Sequence, residues 1–348
     1  MKTYKNLFEK VCGYDNLYSA YLKARRGKTK LAEVLKFTYN LESELSNLQY
    51  ELENQIYETR EYRHFIIFEP KERKISALPF RDRIVHHAIY FVMEPIFEKK
   101  FIYDSYACRK RKGTHAGVKK LQKFIRGVNE DYYVLKCDVS KYFFSVNHEI
   151  LKKVIRKKIA DKRLLWLLDN IIDSVEKGIP IGNLTSQLFA NIFLNELDEF
   201  VKYKLKIKCL YKCRSEVGGG TLCYIRYMDD FILLYESKQG LQELKEEIRL
   251  FLVSIRLTLH PKKANIFPVT LGIDFLGYRI FNNHRLIRKS TIKRFLKTVK
   301  IKIKKYDSGV MNFDKLMESF NSWEAYLAYG DSYKLKNSLY GRCFGNVM

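Results

Sequence analysis

The sequence predicts an α+β fold, a mixed catalytic lobe with helical segments at both ends. Three observations predict it. Short β-prone runs bounded by turn residues recur through the middle of the chain: "YYVLKCDV", "YIRYMDDFILLY" and "DFLGYRIF". Segments with apolar residues at helical spacing stand between and around them. A composition of 47% hydrophobic and 14% aromatic residues in 348 supplies enough apolar surface for a substantial core.

Residues 1–58 read as helical, with charged and apolar residues interleaved ("LESELSNLQYELENQIYE") and no proline. His64–Phe80 reads as a hairpin around the basic turn "PKERK". A helix follows, with Ile84, Val85, Ala88, Ile89 and Val92 on its apolar face. Tyr132–Val146 begins as a buried strand that ends near Asp138. "GIPIGNLTSQLFANIFLNELDEFV" breaks at Gly178, Pro180 and Gly182, then becomes a helix that Asn183 or Thr185 is placed to cap. Leu184, Leu188 and Ile192 form one row along it, and Phe189, Phe193, Leu197 and Phe200 another. Lys204–Thr221 reads as an insertion with a flexible loop at Gly218–Gly220. Strand, turn and strand occupy 224–235, a helix spans about 239–255, and Asp274–Phe281 reads as one short strand. From Ser290 the chain is helical and very basic, with Ile292, Phe295, Leu296 and Val299 as its apolar stripe.

A formal charge of +25 points to a polyanionic partner. No run approaches the ~18 consecutive apolar residues of a membrane span, and the N-terminus lacks a signal-peptide core. Nucleic acid is therefore favoured over membrane. Seven scattered cysteines do not form a disulfide framework, which makes the cytoplasm the expected location. Cys209, Cys213 and Cys223 cluster, but with spacings that fit zinc poorly. The adjacent His86 and His87 cannot share a helix face and read as packing residues.

The chemistry concentrates in three acids. Asp138 ends one apolar strand, and Asp229 and Asp230 stand at the tip of a hairpin. Converging carboxylates raise one another's pKa, and divalent cations resolve the repulsion. Two such ions can activate an attacking oxygen and stabilise a leaving one in phosphoryl transfer.

"YIRYMDDFILLY" resembles the palm signature of reverse transcriptases, and the likeness extends over most of the chain. "LKCDVSKYFFSV" is similar to their first catalytic motif, "GIPIGNLTSQLFANIFLNELD" to the next, and "DFLGYRIF" to the segment that holds the primer end. The resemblance implies a right-hand polymerase: an N-terminal helical extension (1–60), fingers (61–130), a palm with an antiparallel sheet (131–282) and a basic helical thumb (283–348). It implies that Asp138, Asp229 and Asp230, with Val139 beside them, bind two Mg2+ ions, for which Mn2+ can substitute. Phe143 would exclude a ribose 2′-OH by bulk. Lys71, Arg73, Lys74 and Arg81 would meet the incoming triphosphate, with Ile181 and Gln187 beside the nucleotide. Arg109, Lys110, Arg111, Gly182, Asn183, Tyr227, Met228, Leu276, Gly277, Lys293 and Lys297 would contact template and primer. Gly178 and Gly182 would let the backbone approach the template closely.

"IPIGNLTSQ" and "DSYACRKRKGTHAGV" are similar to the forms found in diversity-generating retroelement enzymes. Other reverse transcriptases usually carry Gln where this chain has Ile181, and an aliphatic side chain there cannot hydrogen-bond. The implied activity is RNA-directed DNA synthesis, error-prone at template adenines. Its partners would be template RNA, cDNA, deoxynucleoside triphosphates and a small basic oligomeric accessory protein. The alternatives are a stand-alone bacterial enzyme using a non-coding RNA, as in antiphage defence, and an inactive RNA-binding scaffold.

Overall fold

The computed structural model describes residues 3–68, 72–205 and 222–337. Helices Phe8–Cys12, Tyr14–Ala24, Ala32–Tyr39 and Leu41–Glu53 open the chain, as their interleaved apolar residues require. The expected hairpin follows: β1 (Arg63–Ile67) pairs antiparallel with β2 (Arg73–Ala77), from Arg63 opposite Ala77 to Ile67 opposite Arg73. Helix Phe80–Glu98 buries Ile84, Val85, Ala88 and Ile89 against the second N-terminal helix and against helix Leu184–Glu199.

The central sheet contains β3 (Tyr133–Asp138), β4 (Cys223–Tyr227), β5 (Asp230–Tyr235) and β6 (Asn265–Pro268) in the order β4–β5–β3–β6, antiparallel throughout. Side chains alternate across the pleat. Leu135, Cys137, Phe231 and Leu233 enter a large core shared with helices Phe80–Glu98, Leu184–Glu199 and Lys238–Ser254. Val134, Ile225, Ile232 and Leu234 enter a second core, shared with helix Thr114–Arg126 and a smaller sheet. Burial on both faces is why these strands read as nearly continuous apolar runs.

The smaller sheet corrects the single strand expected over Asp274–Phe281. It has three strands, β7 (Ile273–Phe275), β8 (Tyr278–Ile280) and β9 (Arg285–Ile287). Leu276 (φ +50°) and Gly277 (φ +93°) both adopt left-handed backbone, which folds the segment into a tight hairpin. β9, which no sequence signal announced, groups residues 285–287 with this hairpin rather than with the basic helix.

Helices Lys289–Asp307 and Phe313–Leu327 follow, joined through Val299, Leu316 and Phe320. Lys293 and Lys297 are exposed on the first of them. The expected cap of Leu184–Glu199 is not made: Asn183 accepts no capping hydrogen bond, and the Thr185 hydroxyl pairs with His86 Nδ1 at 2.6 Å. Burial depresses the His86 ring to about 3, consistent with a packing role. Lys71, Cys209, Cys213 and the Gly218–Gly220 loop lie outside the described residues. Among the described residues, no helix is long and apolar enough to cross a membrane.

Candidate active site

The three acids meet at one end of the central sheet. Tyr227 pairs with Asp230, and Asp230 pairs with Asp138, so these residues form a row across β4, β5 and β3. Cross-strand partners project to the same face, which sets Asp138 and Asp230 side by side. The β4–β5 turn is Met228–Asp229, with Met228 left-handed at φ +54°. Only Asp229 sits in the turn; Asp230 is already the first residue of β5. The Val139 amide donates to the Asp229 carbonyl at 3.2 Å, and the His260 amide donates to the Asp138 carbonyl at 2.8 Å, which fixes both backbones. Val139 itself is buried.

The electrostatics are those of crowded acids. Burial raises the Asp229 carboxyl above its ordinary range and the Asp138 charge raises it further, while Lys263 and Arg73 pull it back. Burial likewise pushes Asp230 up to about 6 against the pull of Lys136, and the charges of Asp138 and Asp229 add to the rise. Asp230 Oδ1 is buried and has no hydrogen-bond partner. Two lysines hold part of the charge: Lys263 Nζ lies 2.7 Å from Asp138 Oδ2, and Lys136 Nζ lies 3.8 Å from Asp230 Oδ2. Among the described residues, no three acidic, histidine or cysteine side chains form a ready ligand cluster. An orphaned buried oxygen beside two repelling carboxylates nonetheless fits a divalent cation, whose charge would offset what the lysines only partly offset.

One supporting group escaped the sequence reading. Arg226 and Asp198 are both fully buried and pair at 2.6 Å. Arg226 also donates to Asn191 Oδ1, to Ser105 Oγ and, at 3.0 Å, to the Met228 carbonyl in the turn. The Tyr224 hydroxyl donates to the same Asp198 carboxylate at 2.7 Å. The signal in the sequence was an arginine inside the apolar run "YIRYM" and an acid inside "LNELDEF".

The "GIPIG" loop packs between the hairpin and the short helix Tyr142–Ser145. The Ile179 amide donates to the Phe143 carbonyl at 2.8 Å, and the Ser76 amide donates to the Ile181 carbonyl at 2.9 Å. A Cβ on Gly178 would run into the Phe143 and Phe144 backbone, and one on Gly182 would come within 3.0 Å of Ile75. Both glycines are left-handed, at φ +72° and +122°. Their close approach is to the protein's own chain. Phe143 is half-buried against the large core. Ile181 is half-buried beside a cavity of about 400 Å³ that Tyr62, His64, Lys74 and Ser76 also line. Gln187 is half-buried in the first turn of its helix, while Asn183 is buried.

The expected basic contacts divide into two groups. Arg73 and Lys74 are exposed on β2, and the Arg73 charge reaches Asp229. Arg81 is buried, with its guanidinium on Glu51 and over the Tyr57 ring, so it faces no triphosphate. Arg109 is likewise committed: it binds Glu98 at 2.7 Å and the carbonyls of Ile102 and Ser105. Lys110 pairs with Glu94 but is largely exposed, and Arg111 is exposed. Leu276 and Gly277 border a groove of about 880 Å³ that the sequence reading missed. Phe295 stacks on Trp323 with ring centres 4.0 Å apart, and Trp323 on Tyr326 at 5.4 Å. Arg288 and Arg294 also line it. Trp323 sits four residues before the end of the amphipathic helix Phe313–Leu327, remote from every motif, so nothing in the sequence singled it out.

Comparison with known proteins agrees with this geometry. The family described as reverse transcriptase (RNA-dependent DNA polymerase) matches residues 69–280. Protein YkfC of Escherichia coli K12 is 32% identical over 250 residues, which cover 63% of this chain and 64% of that protein. The group II intron-encoded protein LtrA of Lactococcus lactis subsp. cremoris is 24% identical over 346 residues, covering 81% of this chain and 55% of that protein. The chain thus spans less than two thirds of the length of either relative.

Proposed function

Because the chain belongs to the reverse transcriptase (RNA-dependent DNA polymerase) family, we propose that it is an RNA-directed DNA polymerase. It would add deoxynucleotides to a primer 3′-OH along an RNA template. The observation that carries this reading is the row Tyr227–Asp230–Asp138, with Asp229 in the adjoining turn and an unpartnered oxygen on Asp230. Asp138, Asp229 and Asp230 are the residues to hold two Mg2+ ions, which when bound activate the attacking hydroxyl and stabilise the leaving oxygen. Arg73 and Lys74 stand where exposed cations can neutralise a triphosphate, and Phe143 is the candidate sugar gate. The β1–β2 hairpin and the helices after it serve as fingers, the central sheet as palm, and the helices from Lys289 as thumb. The β7–β8 turn at Leu276–Gly277 holds the primer end. The groove lined by Trp323 and Tyr326 gives a departing duplex a stacking surface.

For the subtype we favour a mutagenic, diversity-generating enzyme over a stand-alone defence enzyme. Its support is Ile181, whose aliphatic side chain has no hydrogen bond to offer an incoming base pair. Primer extension tests the main reading. The purified protein with Mg2+ is expected to extend a DNA primer on an RNA template and to stop doing so with EDTA. A protein that binds the template–primer and never extends it is the inactive scaffold.

A further inference from the structure

Lys136 interrupts an otherwise apolar strand, "YVLKCD", two residues before Asp138. The period-two pleat puts it on the same face as Asp138 and, through the Asp138–Asp230 pair, on the face of Asp230. Its ammonium lies 3.8 Å from Asp230 Oδ2 and donates to the backbone carbonyl of Asp274. Asp274 is the middle residue of β7, two positions before the Leu276–Gly277 turn. One side chain thus touches both a candidate metal-ligand carboxylate and the hairpin that borders the duplex groove.

We infer that Lys136 is a positioning residue that acts as a resident cation for Asp230 and as a tether for the β7–β8 hairpin. Its charge lies 3.8 Å from the Asp230 carboxylate's second oxygen, with Arg288 as a weaker second cation, while Lys263 is engaged with Asp138. It therefore stabilises a half-buried acid whose charge the neighbouring carboxylates oppose. Where Asp230 takes up a divalent cation, Lys136 must yield the carboxylate, so it competes with the metal for that site. Its bond to the Asp274 carbonyl does not depend on Asp230 and keeps the hairpin against the sheet end. The main chain of Asp274 is the partner, so a change of side chain at 274 would not mimic loss of the lysine. This inference rests on the polymerase reading for the identity of the cation, but its readouts do not require turnover.

The test compares wild type with Lys136→Gln and Lys136→Arg in thermal melts over an Mg2+ titration without nucleotide. Lys136→Gln is expected to melt lower than wild type without metal, to gain more stability from Mg2+, and to half-saturate at several-fold lower Mg2+. Lys136→Arg should stay close to wild type. Template–primer affinity in EDTA should fall several-fold for Lys136→Gln, since the hairpin loses its tether. An Mg2+ response identical in wild type and Lys136→Gln would overturn the inference. If the Gln variant does not fold, Lys136→Met takes its place: an Mg2+ midpoint several-fold below that of wild type supports the inference, and a midpoint equal to wild type overturns it. A wild type that never extends a primer would sink the polymerase reading alone. A wild type that extends while Lys136→Gln titrates normally would sink only the role of Lys136.

Discussion

The Met228–Asp229 turn separates two charge clusters with opposite designs, one buried and one half-buried. On the β4 side, Asp198 takes three hydrogen bonds from Arg226 and Tyr224, and Arg226 spends its remaining donors on Ser105, Asn191 and the turn carbonyl. Every charge there has a partner. On the β5 side, Asp230 keeps an unpartnered oxygen, and its neighbouring acids raise its pKa instead of lowering it. A closed network holds geometry, whereas an incomplete one retains the capacity to bind a cation. The first cluster positions the turn so that the second can work.

The comparison predicts that breaking the closed cluster costs stability first. Asp198→Asn would leave Arg226 buried with a weakened partner, and loss of one partner of a buried ion pair costs about 3–5 kcal/mol. Urea or thermal melts should show a loss of that order, with activity lost only in proportion to the unfolded fraction. A variant with wild-type stability and no activity would assign Asp198 to chemistry instead, and the contrast between the clusters would collapse.

Breaking the open cluster should do the reverse. Asp230→Asn removes a repelled, partly unpartnered carboxylate, so the melting temperature of the metal-free protein should hold or rise. Primer extension should fall by at least about a hundredfold, the scale for losing one transition-state stabiliser. Asp138→Asn should behave in the same way, moderated by the loss of its pairing with Lys263. An Asp230→Asn variant as unstable as Asp198→Asn would show that the acid is structural.

Much of this was legible in the sequence where local pattern and burial agree. The hairpin at 64–80, the helix from Phe80 and the three acids all announce themselves through periodicity or through charge in an apolar context. What was not legible depends on long-range pairing. Arg81 and Arg109 look like free cations in sequence, yet Glu51 and Glu98 claim them from other elements. The 274–281 segment looks like one strand because Leu276, a residue that seldom adopts left-handed backbone, gives no turn signal. The stack of Phe295, Trp323 and Tyr326 joins two helices whose packing neither sequence alone specifies.

The smallest effect expected sharpens the comparison at a third place, the "GIPIG" loop. This loop is held through its backbone: Ile179 donates to Phe143, and Ile181 accepts from Ser76, while Gly178 and Gly182 supply the close approach. The Ile181 side chain carries none of these bonds and is half-buried at a cavity edge. Ile181→Gln should therefore change stability by no more than about 0.5 kcal/mol, as for a substitution outside any buried network. Its effect should appear in fidelity instead, because a Gln amide can hydrogen-bond where the aliphatic chain only fills space. Misincorporation opposite template adenine is expected to fall several-fold relative to wild type, with extension on matched template little changed. Equal error rates in the two proteins would remove Ile181 from fidelity and leave the mutagenic subtype without its support, while the polymerase assignment, which rests on the acids of β3 and β5, would stand.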